Sequence, residues 1–469
     1  MTHSRREFFR RTGCSALALA ATSAGLERLG LVSALAQQAA PTDYRALVCI
    51  FLNGGNDGNN MVVPLDATGY GAYSTARSSA GLAIAQGLLL PIAPTSPNTA
   101  FGLHPSLVEV QALFNQHYLA VVTNVGPLVE PLTRQQYQTG SPRPYQLFSH
   151  SDQIAQWQTS RSDAAVQSGW GGRTADFTAS ANPGAIYPVV TSFSGSAVFT
   201  QGNVTRPIAV SPAPTPLNQV LVLNGFSTAA DAMARRTSMN ELRGMDRGPT
   251  LVAATSDAMQ QAVDIGAALS SDPTLATVFP NTTLGNQLRQ VAKLIKLNQT
   301  APALGLNRQI FFCSLGGFDT HGDQLVNQAN LLAQLSQAMN AFYAATVELA
   351  LQNRVTTFTL SDFARTLQPS GSGASVGSDH AWGNHQFVMG GAVNGGSFYG
   401  VPGPNLTVFP TLSLGGQNDA DTRGRWIPTA AVEQYAATLA TWFGLAAADV
   451  ATVFPLIGRF TTPDLGFML

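Results

Sequence analysis

Unbroken apolar and β-branched runs recur along the chain at Ala46 to Leu52, Leu119 to Val125, Gln309 to Leu315, Val355 to Leu360 and Gln386 to Met389. None contains a charge, which suits strands buried on both faces, as in a parallel sheet, rather than strands alternating between core and water. Between these runs, apolar positions follow helical spacing over Ser106 to Gln116, Leu284 to Lys296 and Gln324 to Leu351. Alternating strands and helices predict an α/β layered fold, a mostly parallel sheet with helices on both faces. Pro105 fits the first turn of the helix that starts at Ser106.

The stretch from Trp170 to Leu306 breaks this rhythm with proline-rich material such as Ser211-Pro212-Ala213-Pro214-Thr215-Pro216, weak strands and one clear terminal helix. It reads as an insertion or cap on the sheet, about 170–306, within one α/β domain spanning 37–469. No solenoid period is present.

Composition narrows the functional classes. Only 11% of the 469 residues are charged and 45% are hydrophobic, against roughly 25% charged in an ordinary soluble chain, so the chain is neither disordered nor a nucleic-acid-wrapping protein. The formal net charge of -1 conceals an imbalance. Residues 1–36 carry five arginines against two glutamates, which leaves a mildly acidic body without a basic run. Nucleic acid is therefore excluded as the main partner, and small solutes are expected instead.

That basic end has a form of its own. Ser4-Arg5-Arg6-Glu7-Phe8-Phe9-Arg10 precedes an apolar stretch, Cys14 to Ala24, and the small residues Ala34-Leu35-Ala36. This resembles a twin-arginine export signal, so 1–36 is set aside from the fold. The implied partner is the twin-arginine export machinery, and the implied location is the periplasm or beyond the cell. The apolar part is too short and too polar for the ~20 residues of a stable membrane span. Cys49 and Cys313 sit in apolar runs and read as buried thiols.

In open α/β sheets the loops leaving the carboxyl ends of strands build the ligand crevice, and polar clusters stand there. Asn53-Gly54-Gly55-Asn56-Asp57-Gly58 follows the first run, a tight turn with one carboxylate, and fails the dinucleotide spacing. Gly316-Gly317-Phe318-Asp319-Thr320-His321-Gly322-Asp323 follows another. In extended backbone Asp319 and His321 point to one side, which suits a shared cation. Asp362 ends the next run in Ser361-Asp362-Phe363-Ala364-Arg365, and Asp379-His380-Ala381-Trp382-Gly383-Asn384-His385 lies beyond a Gly/Ser-rich loop. Three of seven histidines thus fall in two short acidic segments. Nitrogen and oxygen donors without thiolate favour zinc, manganese, iron or magnesium. Ser149-His150-Ser151-Asp152 opens a helix through about Thr159, either as a plain N-cap or as an anion-holding helix start with a hydroxyl able to attack. There His150 reads as exposed, and His104, before Pro105, as structural.

These motifs coincide. The twin-arginine start, Leu52 to Gly58, Leu103-His104-Pro105, Phe148-Ser149-His150, Gly317 to His321, Ser361 to Arg365 and Gly377-Ser378-Asp379-His380 together resemble the bacterial family called domain of unknown function 1501. That family in turn is similar to a distant branch of the alkaline phosphatase and sulfatase superfamily. The resemblance implies a metal-dependent hydrolase of phosphate or sulfate esters of a small molecule or glycan, with Ser149 as nucleophile and Asp57, Asp319, His321, Asp362, His380 and His385 as ligands of one or two metal ions. Arg365 is then either an anion clamp or a structural ion-pair residue. Phe363 departs from the superfamily pattern, standing where a ligand histidine often follows the aspartate. The competing expectation is a periplasmic binding or assembly protein that keeps the fold without catalysis.

Overall fold

The computed structural model describes residues 43–221, 228–245, 247–269, 271–300 and 304–469. The expected export signal at 1–36 lies outside them. The principal sheet is built from β1 (Arg45–Asn53), β2 (Leu119–Gly126), β3 (Val190–Ser192), β4 (Ile208–Ala209), β5 (Arg308–Gly316), β6 (Val355–Ser361), β7 (Asn384–Met389), β8 (Phe398–Tyr399) and β9 (Ala430–Ala431). Its order is β8-β2-β7-β6-β1-β5-β3-β4, with β9 also on β2. The first strand is therefore central, paired in parallel register with β5 (Ala46 to Gln309) and β6 (Ala46 to Val355). All five apolar runs are strands of this sheet. One differs in direction: β7 is antiparallel to both β2 and β6.

Alternation along β1 divides the interior in two. Ala46, Val48, Ile50 and Leu52 face a core shared with α2 (Val108–Asn115), α7 (Thr283–Thr300) and α8 (Gln324–Glu348), after α1 (Ala67–Arg77). Leu47, Cys49 and Phe51 face the other core, with Trp157 of α3 (His150–Thr159), Trp170 of α4 (Trp170–Thr178) and residues of α9 (Val432–Phe443). Helices thus cover both faces of a largely parallel sheet, the arrangement that hides every strand face from water. Cys49 and Cys313 are both buried free thiols on opposite faces, so no disulfide joins them. Helix α2 begins at Val108, which puts Pro105 in the turn ahead of it rather than inside its first turn.

Within 170–306, β3 and β4 extend the sheet and α7 packs against β5, while α5 (Ala230–Gly244) and α6 (Thr250–Ala268) are largely exposed. Among the described residues no helix is long and apolar enough to cross a membrane.

The parallel strands β1, β5 and β6 all end on one side, and the antiparallel β7 starts there. The loops 54–57, 317–323, 362–365 and 377–384 are consequently neighbours, which is how acids and imidazoles far apart in sequence come together.

Candidate metal centre

The crevice is closed by tight backbone contacts. Gly54, at φ +116°, approaches so closely that a Cβ there would lie 2.4 Å from the backbone nitrogen of Asp319. At Gly55 a Cβ would lie 2.4 Å from the ring of Phe363. Only glycine fits both positions, where φ is positive and no side chain has room.

Arg365 ties these loops together. Its side chain is fully buried; Nε donates to the Gly55 carbonyl (3.0 Å) and Nη1 to that of Ser378 (3.1 Å). Nη2 donates to the carbonyls of Gly54 and Phe318 and to Oδ1 of Asp319, the last at 2.6 Å. Nη1 also lies 3.3 Å from Nε2 of His321; with its other donors on interior carbonyls and one carboxylate, Arg365 acts as an ion-pair and loop-anchoring residue.

Around Oδ1 of Asp319 three imidazoles converge. The Nε2 atoms of His150, His321 and His380 lie 3.5, 3.2 and 3.8 Å from it, and those of His321 and His380 lie 2.9 Å apart. The opposite nitrogens all meet acceptors. Nδ1 of His150 is 2.7 Å from Oδ2 of Asp362, Nδ1 of His380 is 2.7 Å from the Phe148 carbonyl, and Nδ1 of His321 is 3.3 Å from Oδ1 of Asp379. A carbonyl or carboxylate oxygen can only accept, so Nδ1 of His150 and of His380 donates outward, and the Nε2 atoms of all three rings face inward. Outer hydrogen bonds of this kind are what orient metal-ligating histidines.

A divalent ion fits this donor set. Ligand atoms of His150, Asp319 and His380 lie within 4.8 Å of one another. Within this set the Nε2 atoms of His150 and His380 lie 3.5 and 3.8 Å from Oδ1 of Asp319, close to the ~3.4 Å edge of a tetrahedron with ~2.1 Å bonds, and His321 stands at its edge. Nε2 of His150 is buried without a hydrogen-bond partner, as expected of an atom meant for a ligand.

The local electrostatics follow from the neighbours. The Asp362 hydrogen bond raises the His150 pKa, while burial lowers that of His380. Burial pushes the Asp319 carboxyl up, but its Arg365 hydrogen bond and the nearby cationic groups outweigh this and hold it below the ordinary value. The centre opens to water, since the side chains of Asp319 and His321 are 53% and 48% exposed.

The expected site residues separate into groups. Asp319, His321 and His380 are brought together. Asp362 stands behind His150, its other oxygen accepting from the Gly54 amide at 3.0 Å. Asp57 is elsewhere: its carboxylate is fully buried against Arg77 (2.6 Å), also receives the Gln324 amide, and caps the short helix Gly58–Met61. His385 is buried too, accepting from the Asn124 amide (3.2 Å) and stacked 4.6 Å from Phe409, with its pKa lowered to about 3 by burial. Ser149 is the N-cap residue of α3 without a side-chain cap bond; its hydroxyl lies 2.5 Å from Asp152 and 3.2 Å from Ser151.

The residue that sequence reasoning passed over is His150. It sits at the helix start but is only 30% exposed, because Asp362 draws it inward and Phe363 packs 4.7 Å from its ring. Phe363 also lies 4.6 Å from the His380 ring and so forms an apolar wall behind two imidazoles. His104 is structural, accepting from the Ser106 amide at 3.1 Å, with its pKa lowered to about 4 by burial.

Comparison with known proteins places this site in context. The family model described as Protein of unknown function (DUF1501) matches residues 44–403. No curated protein matches the chain. Among solved structures, the C-terminal periplasmic domain of EcEptC from Escherichia coli in complex with Zn is 10% identical, over 76% of this chain and 74% of that one, with a TM-score of 0.27. The PsFucS1 sulfatase from Pseudoalteromonas sp. is 7% identical over 76% and 64%, with a TM-score of 0.30. Alkaline phosphatase from the Antarctic bacterium TAB5 is 9% identical over 76% and 92%, with a TM-score of 0.22. At these scores the likeness carries no argument about the site, which has to be read from its own atoms.

Proposed function

The chain belongs to the family described as Protein of unknown function (DUF1501), and from that premise we propose that it is an exported metal-dependent hydrolase of phosphate or sulfate esters. The observation that carries this reading is the inward set of three Nε2 atoms around Asp319, with the rings of His150 and His380 fixed by outward Nδ1 hydrogen bonds and that of His321 facing Asp379. His150, His321, His380 and Asp319 would hold the ion. When bound, a divalent cation supplies positive charge for phosphoryl or sulfuryl oxygens. Three imidazoles and one carboxylate suit zinc better than magnesium, which prefers an all-oxygen shell.

We read the site as taking one ion. Arg77 already neutralises Asp57, and His385 faces the core, so neither is free to build a second position. Arg365 keeps Asp319 ionised and in place. Ser149, the neighbour of His150 in the chain, is the hydroxyl assigned as nucleophile, and the Asp152 carboxylate beside it is placed to accept its proton. The exposed edge at Asp319 and His321 admits a small-molecule or glycan ester. The paired arginines Arg5 and Arg6 ahead of an apolar stretch support twin-arginine export to the periplasm or beyond.

A second reading, an exported binding or assembly protein that holds a metal without turnover, is favoured by Arg365: its donors are spent on carbonyls and Asp319, which leaves no free guanidinium to clamp an anion. The deciding experiment is metal analysis of the exported protein with turnover of generic phosphate and sulfate esters, before and after chelation. Turnover lost on chelation and in a folded Ser149→Ala variant supports the hydrolase. One bound ion per chain with no ester hydrolysed supports the binding protein, and no bound metal overturns both readings of the centre.

A further inference from the structure

Near the carboxyl end, Asp419 is completely buried, yet its carboxylate accepts four backbone amides, from Gly415 (2.9 Å), Asp421 (3.2 Å), Gly424 (2.9 Å) and Arg425 (3.0 Å). Four amides on one carboxylate hold the segment from Gly415 to Arg425 in a single path. Outside that loop, Arg134 grips the carbonyls of Asp419 (2.9 Å) and Asp421 (2.7 Å).

Two side chains leave this rigid loop for the metal centre. Arg423 donates to Oδ2 of Asp379 at 2.6 Å, and Oδ1 of the same carboxylate faces Nδ1 of His321 at 3.3 Å. Arg425 donates Nε to the His380 carbonyl at 2.8 Å, and its guanidinium lies 4.6 Å from the centre of the Phe148 ring. The Phe148 carbonyl accepts from Nδ1 of His380. Asp379 is thus braced by Arg423, and Phe148, whose carbonyl is the other outer acceptor, by Arg425 over its ring, both arginines belonging to one loop. Asp421 in turn holds Arg425 at 2.8 Å, so that brace is itself fixed.

We propose that the loop Gly415 to Arg425, organised by Asp419, is the positioning element of the centre, with Arg423 setting the orientation of His321 and Arg425 that of His380. This rests on the metal-site reading above. Both arginines are positioning residues, since they act on the imidazoles through Asp379, Phe148 and the His380 backbone. Outer-shell partners of this kind govern metal affinity by about 10 to 100-fold.

The test uses the full exported protein and four variants, Arg423→Gln, Arg423→Lys, Arg425→Gln and Arg425→Lys. Zinc affinity is measured by competition with a chromogenic chelator, coordination by the visible absorption of the cobalt-substituted protein, and folding by melting temperature. The glutamine variants are expected to bind zinc at least about ten-fold more weakly and to shift the cobalt spectrum. Arg423→Lys should recover most of the loss, and all four should melt close to the parent, because the Asp419 amide network is untouched. Glutamine variants with parental affinity and spectrum overturn the proposal, as does a loss that merely tracks falling melting temperature and is equal in the lysine variants. A parent protein that takes up neither zinc nor cobalt overturns the centre itself, a failure seen before any variant is compared.

Discussion

Arg77 reaches Asp57 across 2.6 Å with neither side chain exposed to solvent. The guanidinium also donates to Asn60 and to the carbonyls of Leu367 (2.9 Å) and Thr366 (2.9 Å), so the pair joins the first glycine-rich loop to the ribbon after β6. Removing one partner strands a buried charge, which costs about 3–5 kcal/mol. Asp57→Ala should therefore lower the denaturation midpoint strongly while zinc per folded molecule stays at the parental value. Normal stability with lost zinc would make Asp57 a ligand instead.

Asp362 touches the proposed metal centre through His150. Asp362→Ala should weaken zinc binding by about 10 to 100-fold, and Asp362→Asn, which keeps an acceptor for Nδ1, should lose less. Chelator competition on the two variants measures the difference. Equal and unchanged affinities would mean that His150 is oriented by other contacts.

Gly55 adopts φ +83° with the Phe363 ring where a side chain would be. Gly55→Ala should cost about 1–3 kcal/mol from backbone strain alone. Because Phe363 backs the rings of His150 and His380, zinc affinity should fall with it. Chemical denaturation and zinc titration of the variant together read both effects; parental zinc affinity in a destabilised variant would uncouple Phe363 from the centre.

Glu433 opens α9 fully buried, with neither carboxylate oxygen hydrogen-bonded among the described residues. Burial lifts its pKa from 4.5 to about 8, with Asp163 pushing the same way and Arg161 and Arg173 opposing. The folded chain then binds this proton more tightly than the unfolded chain. The stability contributed is fully present below about pH 4.5 and is lost as pH rises through about 8. Glu433→Gln should remove that decline and be more stable at pH 8 by on the order of a few kcal/mol, given ~1.4 kcal/mol per pKa unit. Denaturation midpoints of both proteins from pH 5 to 9 check this, and identical slopes would count against it.

The strands were legible because each apolar run is buried on both faces, and β1, β2, β5, β6 and β7 all contain one. Direction was not: a run such as Gln386 to Met389 reads the same whether its neighbours are parallel or, as here, antiparallel. Asp319, His321 and His380 were legible as imidazoles and acids crowded into loops after strands. His150 was not, because a helix-start histidine ordinarily faces water and only its distant partner Asp362 turns it inward. Asp57 and His385 carried the right chemistry in the right segments, but Arg77, Gln324 and Asn124 engage them in three dimensions. Such pairing leaves no mark on local sequence.

The position of β1 has a consequence for how the chain is made. The earliest strand is the innermost, and its flanks, β5 and β6, are synthesised late. A growing chain therefore carries a naked apolar segment with no native neighbour until most of the protein exists, and such long-range closure is slow. His380 arrives later still, so the cluster of imidazoles around Asp319 can assemble only among the last events of maturation, on a finished body rather than on an emerging one.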